Sequence, residues 1–398
     1  MLVVARLALH LRPHAPPVMR IIRHAARRTA RFALPRYGRL TTRLTTRLAA
    51  LLLCAACERA APSPDPTRPV LDSLFARFAR PGMPGASVLV MRHDTILVRQ
   101  SYGLADVEGA VVATPATNYR LASLTKQFTA TAVVLLARDG TLTFDSPARE
   151  ILPELPAYAS AVTIRHLLTH TSGLWDYEDF VPDSQVRQVS DADALTLVST
   201  RAESLYFAPG SAWRYSNTGY ALLALVVERL TGKRFAYVLR ERIFLPLEMR
   251  DTYAHEEGRT VVPRRAWGYT VRGDTVTRTD QSNTSAVLGD GGVYTSIDDL
   301  ARWYTSLARA PLVGDSLWRA TTTPFVLTNG TPTEYGFGWF VERYKGHPRL
   351  RHHGETRGFT NAVSRFPDAD LTIVVLTNRT GSAPWEIADA LSDRYLPQ

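Results

Sequence analysis

The sequence predicts an α+β fold: an antiparallel sheet flanked by terminal helices, with a mainly helical lobe inserted between its two halves. Three observations carry this. Short β-rich runs crowd both ends of the region after residue 69. Helical periodicity dominates the middle, from 123 to about 245. A helix pattern precedes the first strands and another follows the last. Terminal segments that share a pattern can join in one sheet. A cleft between two lobes is a common place for a site.

The elements follow in order. Leu71, Leu74, Phe75 and Phe78 recur at i, i+3, i+4 and i+7, so 71–80 reads as an amphipathic helix ended by Pro81-Gly82. Residues 86–92 and 95–102 are β-rich runs about His93-Asp94, a hairpin pattern. Helices are expected at 123–138, 192–200 and 219–231, with Gly140 and Gly232 closing the first and last. Strands return after about 285. Residues 360–366 and 371–377 flank a turn at Pro367–Asp370, and a last helix spans about 383–395.

Composition bounds the function. The 398 residues are 45% hydrophobic and 21% charged, a globular balance. The formal charge of +10 is misleading. Residues 1–57 hold 11 of the 47 basic residues and no acidic one, leaving 36 basic against 37 acidic residues in the rest. Nucleic acid is therefore not an expected partner. The basic run to Arg47, then Leu48 to Cys57, reads as a secretory signal, with Cys57 as a possible lipid-anchored cysteine; the apolar run is too short to span a bilayer. Cys54 stands where leucine is usual before such a site. Residues 58–69 read as a proline-rich tether and 70–398 as the folded domain, with its helical lobe at about 123–285. An exported, periplasmic or envelope-anchored protein is expected. Both cysteines lie in the leader, so the body needs no disulfide and has no thiol nucleophile.

Three motifs carry chemistry. Ser123-Leu-Thr-Lys126 opens the helix 123–138, and the i, i+3 spacing brings hydroxyl and amine together. A serine is a poor nucleophile near neutrality without a neighbouring base, and a lysine can serve if burial disfavours its ammonium. Taken alone, the letters fit a helix cap beside an exposed lysine equally well. Tyr215-Ser-Asn217 precedes the helix 219–231 and offers a proton relay and an amide-binding side chain. His352-His-Gly354 stands before strand 360–366, where glycine would let substrate approach the backbone of a sheet edge.

Together the three, in this order, resemble the serine beta-lactamase and DD-peptidase superfamily. The nearer branch holds class C beta-lactamases, the Streptomyces-type DD-carboxypeptidase, D-aminopeptidases and related esterases. The resemblance runs over about 70–395. It includes Leu167-Leu-Thr-His-Thr-Ser-Gly-Leu174, Pro209-Gly, Thr231-Gly232, Phe244-Leu-Pro-Leu-Glu-Met249 and Gly291-Gly-Val-Tyr-Thr-Ser-Ile-Asp-Asp-Leu300. It implies a beta-lactamase/transpeptidase-like fold and a serine hydrolase acting through an acyl-enzyme, with no cofactor and no metal. The implied substrate is a D-amino-acid peptide or a related small acyl compound. By the same resemblance Ser123 is acylated, Lys126 or Tyr215 takes its proton, and Asn217 holds the substrate amide. The Ser123 and Glu355 N–H groups would form the oxyanion hole. His352 stands where beta-lactamases commonly carry lysine. His353 replaces a frequent threonine, and Arg357 a frequent proline. Arg357 is expected to meet an acidic group on the substrate.

Rival readings are a small-ester esterase, a weak beta-lactamase, and a non-catalytic module that binds peptidoglycan peptides. Gly314-Asp-Ser-Leu317 spells a lipase motif, but far from the chain position where that motif works. No Gly-x-Ser-x-Gly elbow occurs. His166 and His170 sit at i, i+4 without the adjacent glutamate of a zinc helix, so a place beneath the cleft is expected for them. Trp175, Tyr177, Trp213 and Trp339 are expected to line its rim.

Overall fold

A computed structural model describes residues 68–397 apart from 183, 310 and 311, and the side chains of 308 and 309. The basic leader, Cys54, Cys57 and the tether up to residue 67 lie outside the described residues.

The first helix, α1 (Arg68–Leu74), continues through Phe75 into a single turn at Ala76–Ala79. The expected helix 71–80 is thus bent at Phe75, whose ring is buried and stacks on Tyr102 at 4.7 Å. Strands β1 (Ala86–Arg92) and β2 (Thr95–Tyr102) form the expected hairpin, with His93 at φ 54° in its turn. Helix α2 (Lys126–Arg138) follows a 3-10 turn at Ala122–Thr125. Helix α3 runs Asn217–Thr231 and ends at Gly232 in the left-handed region, the conformation glycine adopts at least cost. The second half of the sheet comprises β3 (Phe340–Tyr344), β4 (His347–Thr356), β5 (Phe359–Phe366) and β6 (Leu371–Thr377). Helix α4 (Pro384–Tyr395) closes the chain, with proline at its first position, where no N–H is needed.

The six strands form one antiparallel sheet in the order β3-β4-β5-β6-β1-β2. The two ends of the chain therefore meet where β1 pairs with β6, as the shared pattern predicts. Both faces of the sheet are covered. Val88, Val90, Ile373 and Val375 face α1 and α4, while Leu89, Met91, Val374 and Leu376 face the helical side. This explains why β6 is apolar nearly throughout instead of alternating. Small strands at Tyr253–Ala254, Tyr269–Arg272 and Thr275–Arg278 interrupt the segment read as helical. The first of these pairs with Val293 and Tyr294, and the hairpin of the other two is preceded by Gly268, which lies against Gly358 just before β5.

Candidate active site

The site forms where the turn before α2 meets the start of α3 and the far end of β4. The Leu121 carbonyl lies against Gly354 of β4, and the next residue, Ala122, has φ 50°. Asn361 on β5 holds this turn by donating to the Arg120 and Leu121 carbonyls at 2.9 and 3.3 Å. Ser123 thus sits on the 3-10 turn, one turn ahead of Lys126, the first residue of α2.

Lys126 is fully buried. Its Nζ donates to Ser123 Oγ at 3.0 Å, Asn217 Oδ1 at 2.8 Å and the Asp290 carbonyl at 3.0 Å. Three acceptors match the three N–H bonds of an ammonium. The ring of Tyr215 lies 5.0 Å from the same nitrogen, which addresses its face rather than its hydroxyl. Asn217 is fixed at the start of α3 because its N–H donates to Asp176 Oδ2 at 2.7 Å. That carboxylate comes from a distant loop and caps the helix, a role the motif spacing did not disclose.

Beside Ser123 lies a narrow cleft of ≈ 40 Å³ lined by Tyr177, Glu178, Asn217, Asp290 and Glu355. Asp290 is buried, and burial pushes its carboxyl up to about 8, with the Lys126 charge opposing. The Tyr177 hydroxyl donates to its Oδ2 at 2.8 Å. Partial burial of the Glu178 carboxyl, and then the Asp176 charge, raise Glu178 as well. Asp176, Glu178 and Asp290 escaped the sequence reading. The one available signal was the glycine framing of Asp290, in Gly289-Asp-Gly-Gly292.

Gly354 has a different partner from the expected one. A β-carbon there would lie 2.1 Å from the Leu121 carbonyl, so the close approach is by the turn that carries Ser123. Nor is β4 the edge strand. It is covered by β3, but only as far as the Phe340–Arg351 pair. Beyond it, strand alternation turns the backbone groups of 353 and 355 to an open edge facing the cleft. The Glu355 N–H is one of these.

His352 is buried. Its Nδ1 donates to the His353 carbonyl at 2.7 Å, and its Nε2 accepts from the Tyr335 hydroxyl at 2.9 Å. Burial, and then the nearby Lys126 charge, hold it well below the ordinary imidazole range. Both nitrogens are engaged by the protein, so the ring supports Tyr335 instead of presenting a free nitrogen to the cleft. Arg357 is exposed in the two-residue turn between β4 and β5 and makes no hydrogen bond or ion pair among the described residues.

The rim expectation needs correction. Trp339 is a core residue beside Tyr304, and Tyr177 is fully buried with only its hydroxyl reaching the cleft wall. Trp213 is 37% exposed and Trp175 is half-buried against Tyr206. His166 and His170 do not share a helix, because theirs ends at Leu168. Among the described residues no three His, Cys, Asp or Glu side chains converge as a metal site, and no helix is long and apolar enough to cross a membrane.

Comparison with known proteins follows the same lines. The Beta-lactamase family model matches residues 71–396. A penicillin-binding protein of Bacillus subtilis is 30% identical over 334 residues, covering 80% of this chain and 73% of that protein. A D-aminopeptidase of Gluconobacter oxydans is 30% identical over 334 residues, which are 81% of this chain but 60% of the D-aminopeptidase, so the chain spans less than two thirds of that relative. The D-amino acid amidase of Ochrobactrum anthropi SV3, solved with L-phenylalanine amide, has a TM-score of 0.71 at 25% identity, over 83% of this chain and 98% of that one.

Proposed function

Because the chain belongs to the Beta-lactamase family and is a serine hydrolase of that fold, we propose that it cleaves D-amino-acid amides or short peptides through an acyl-enzyme on Ser123. The observation that carries this is Lys126 Nζ, held between Ser123 Oγ and Asn217 Oδ1. The step needs the Lys126–Tyr215 pair one proton short of ammonium plus phenol. Ser123 Oγ attacks the substrate carbonyl, and its proton passes to whichever of the Lys126 amine and the Tyr215 oxygen is then the base. The Ser123 and Glu355 N–H groups receive the oxyanion. Tyr215 returns the proton to the leaving amine, and the C–N bond breaks. Water, activated by the same pair, then hydrolyses the ester. Asn217 positions the substrate amide.

Two observations favour a substrate with a free amino group over one ending in a carboxylate. Glu178 and Asp290 line the cleft beside Ser123, where the one lining cation among the described residues, Arg120, is taken up by the Gly291 and Ser285 carbonyls and Gln281. An arriving ammonium would favour the ionised forms of this acidic wall. The D-aminopeptidase and the D-amino acid amidase act, by name, on such donors. A direct comparison of D-alanine amide with its N-acetyl form tests this. Faster turnover of the free amine by about tenfold or more fits the acidic wall. Preference for an N-acylated dipeptide with a free carboxylate would point to carboxypeptidase action instead. Arg357, free at the nearby turn, would then be the partner of that carboxylate.

The Arg-rich leader and Cys57 support an exported, envelope-anchored protein. Replacing Cys57 with serine should release the protein from the membrane fraction.

A further inference from the structure

We propose that His170 is a positioning residue for Tyr215, gripping the chain on both sides of that tyrosine and bracing its ring. This rests on the reading that Tyr215 moves protons.

The grip has two points. The His170 carbonyl accepts the Arg214 N–H at 3.0 Å, and its Nδ1 accepts the Ser216 N–H at 3.2 Å. These are the two residues flanking Tyr215. The imidazole lies 4.2 Å from the Tyr215 ring, centroid to centroid, and 4.5 Å from Tyr335 on another side. Backbone, side-chain nitrogen and ring therefore all act on one short segment.

The residue is held there at a cost. His170 has φ 59°, in the region a non-glycine residue adopts with strain. It is 2% exposed, and its Nε2 has no hydrogen-bond partner among the described residues. Since Nδ1 accepts a bond, the proton of the neutral ring sits on that orphaned Nε2. A phenylalanine would fill the same space among Tyr215, Tyr220 and Tyr335 without burying an unpaired N–H, but it could not accept the Ser216 N–H. Packing alone does not account for a histidine here.

Burial, more than charge, keeps the grip closed. Burial, then Lys126 on α2 and His352 on β4, oppose protonation of His170, and an imidazolium could not accept the Ser216 bond. The tyrosines packed around the ring bring no compensating negative charge when neutral.

The test uses the full chain with an activated ester, counting active sites by burst titration. His170→Phe keeps the ring and loses the acceptor. Turnover per titrated site should fall about 10- to 100-fold, with KM within about threefold, since a misplaced proton-transfer group slows chemistry more than binding. The pH–rate profile should shift with it. His170→Asn tolerates a positive φ and can accept the Ser216 N–H through Oδ1, so it should recover part of that loss. In a Tyr215→Phe background, His170→Phe should add little. Wild-type turnover and pH profile in His170→Phe would overturn the proposal, as would a fully additive loss in that background. If His170→Phe does not fold, His170→Gly, which tolerates φ 59° and has lost both the ring and the acceptor, takes its place, and wild-type turnover there overturns the proposal equally. Full activity in Tyr215→Phe alone would instead remove Tyr215 from the mechanism, and the grip's purpose with it.

Discussion

Gly354 lies against the Leu121 carbonyl so closely that any β-carbon would stand 2.1 Å from its oxygen. The contact joins the strand that offers the Glu355 N–H to the turn that carries Ser123. On the proposed reading it sets the distance between nucleophile and oxyanion site, two groups far apart in sequence.

Gly354→Ala must push these two segments apart, because the opposing atom is backbone and cannot swing away. The expected result is a fall in kcat/KM of about 100-fold or more together with a lower Tm. Steady-state kinetics and a thermal melt on the same preparation check it. An active, equally stable variant would mean that the turn and β4 are not so tightly coupled.

Burial raises the Asp290 carboxyl to about 8 and the Asp191 carboxyl to about 7, against 3.8 for an ordinary aspartate. Well below pH 3.8 both folded and unfolded chains hold these protons, so the effect on stability vanishes there. As pH rises toward 8 the unfolded chain loses protons that the folded chain keeps, and stability falls, by about 1.4 kcal/mol per pH unit for each such group. Melts between pH 5 and 8 should therefore slope downward. Asp290→Asn, which can still accept the Tyr177 hydroxyl, should flatten the slope. An unchanged slope would show that Asp290 is already ionised in the folded protein.

Asp176→Ala should loosen the start of α3, since Asn217 N–H would lose its acceptor. A cap of this kind contributes about 0.5–2 kcal/mol. Activity should fall more than stability suggests, because Asn217 also receives Lys126. Urea unfolding alongside kinetics separates the two effects.

The aromatic pair Trp213 and Trp339 should behave oppositely. Trp339→Ala opens a cavity in a packed core and is expected to cost about 3–5 kcal/mol. Trp213→Ala, at a 37% exposed position, should alter KM with a much smaller change in Tm. Matching Tm losses would contradict this division.

Much of the architecture was legible because it rests on local pattern. β-rich runs about turn residues marked β1, β2, β5 and β6. Gly232 marked the end of α3, and Ser-x-x-Lys spacing placed Ser123 against Lys126. The failures share a cause: they depend on which distant segment arrives. Nothing in the letters of Trp339 separates a rim tryptophan from one buried beside Tyr304. Gly354 looked like a place for substrate, but Leu121 occupies it. His352 read as a cleft residue, yet Tyr335 and its own neighbour's carbonyl take both nitrogens. Asp176 and Glu178 follow directly on a recognised stretch, but only the fold turns them toward Asn217 and the cleft.

The central claim is that Ser123 carries the acyl group. The most direct test is the intact mass of the protein, wild type and Ser123→Ala, after exposure to an activated small ester and to benzylpenicillin. The account predicts a mass increase equal to the acyl group on the wild type and none on the variant. An equal adduct on Ser123→Ala, or turnover that survives the substitution, would place the nucleophile elsewhere and contradict it.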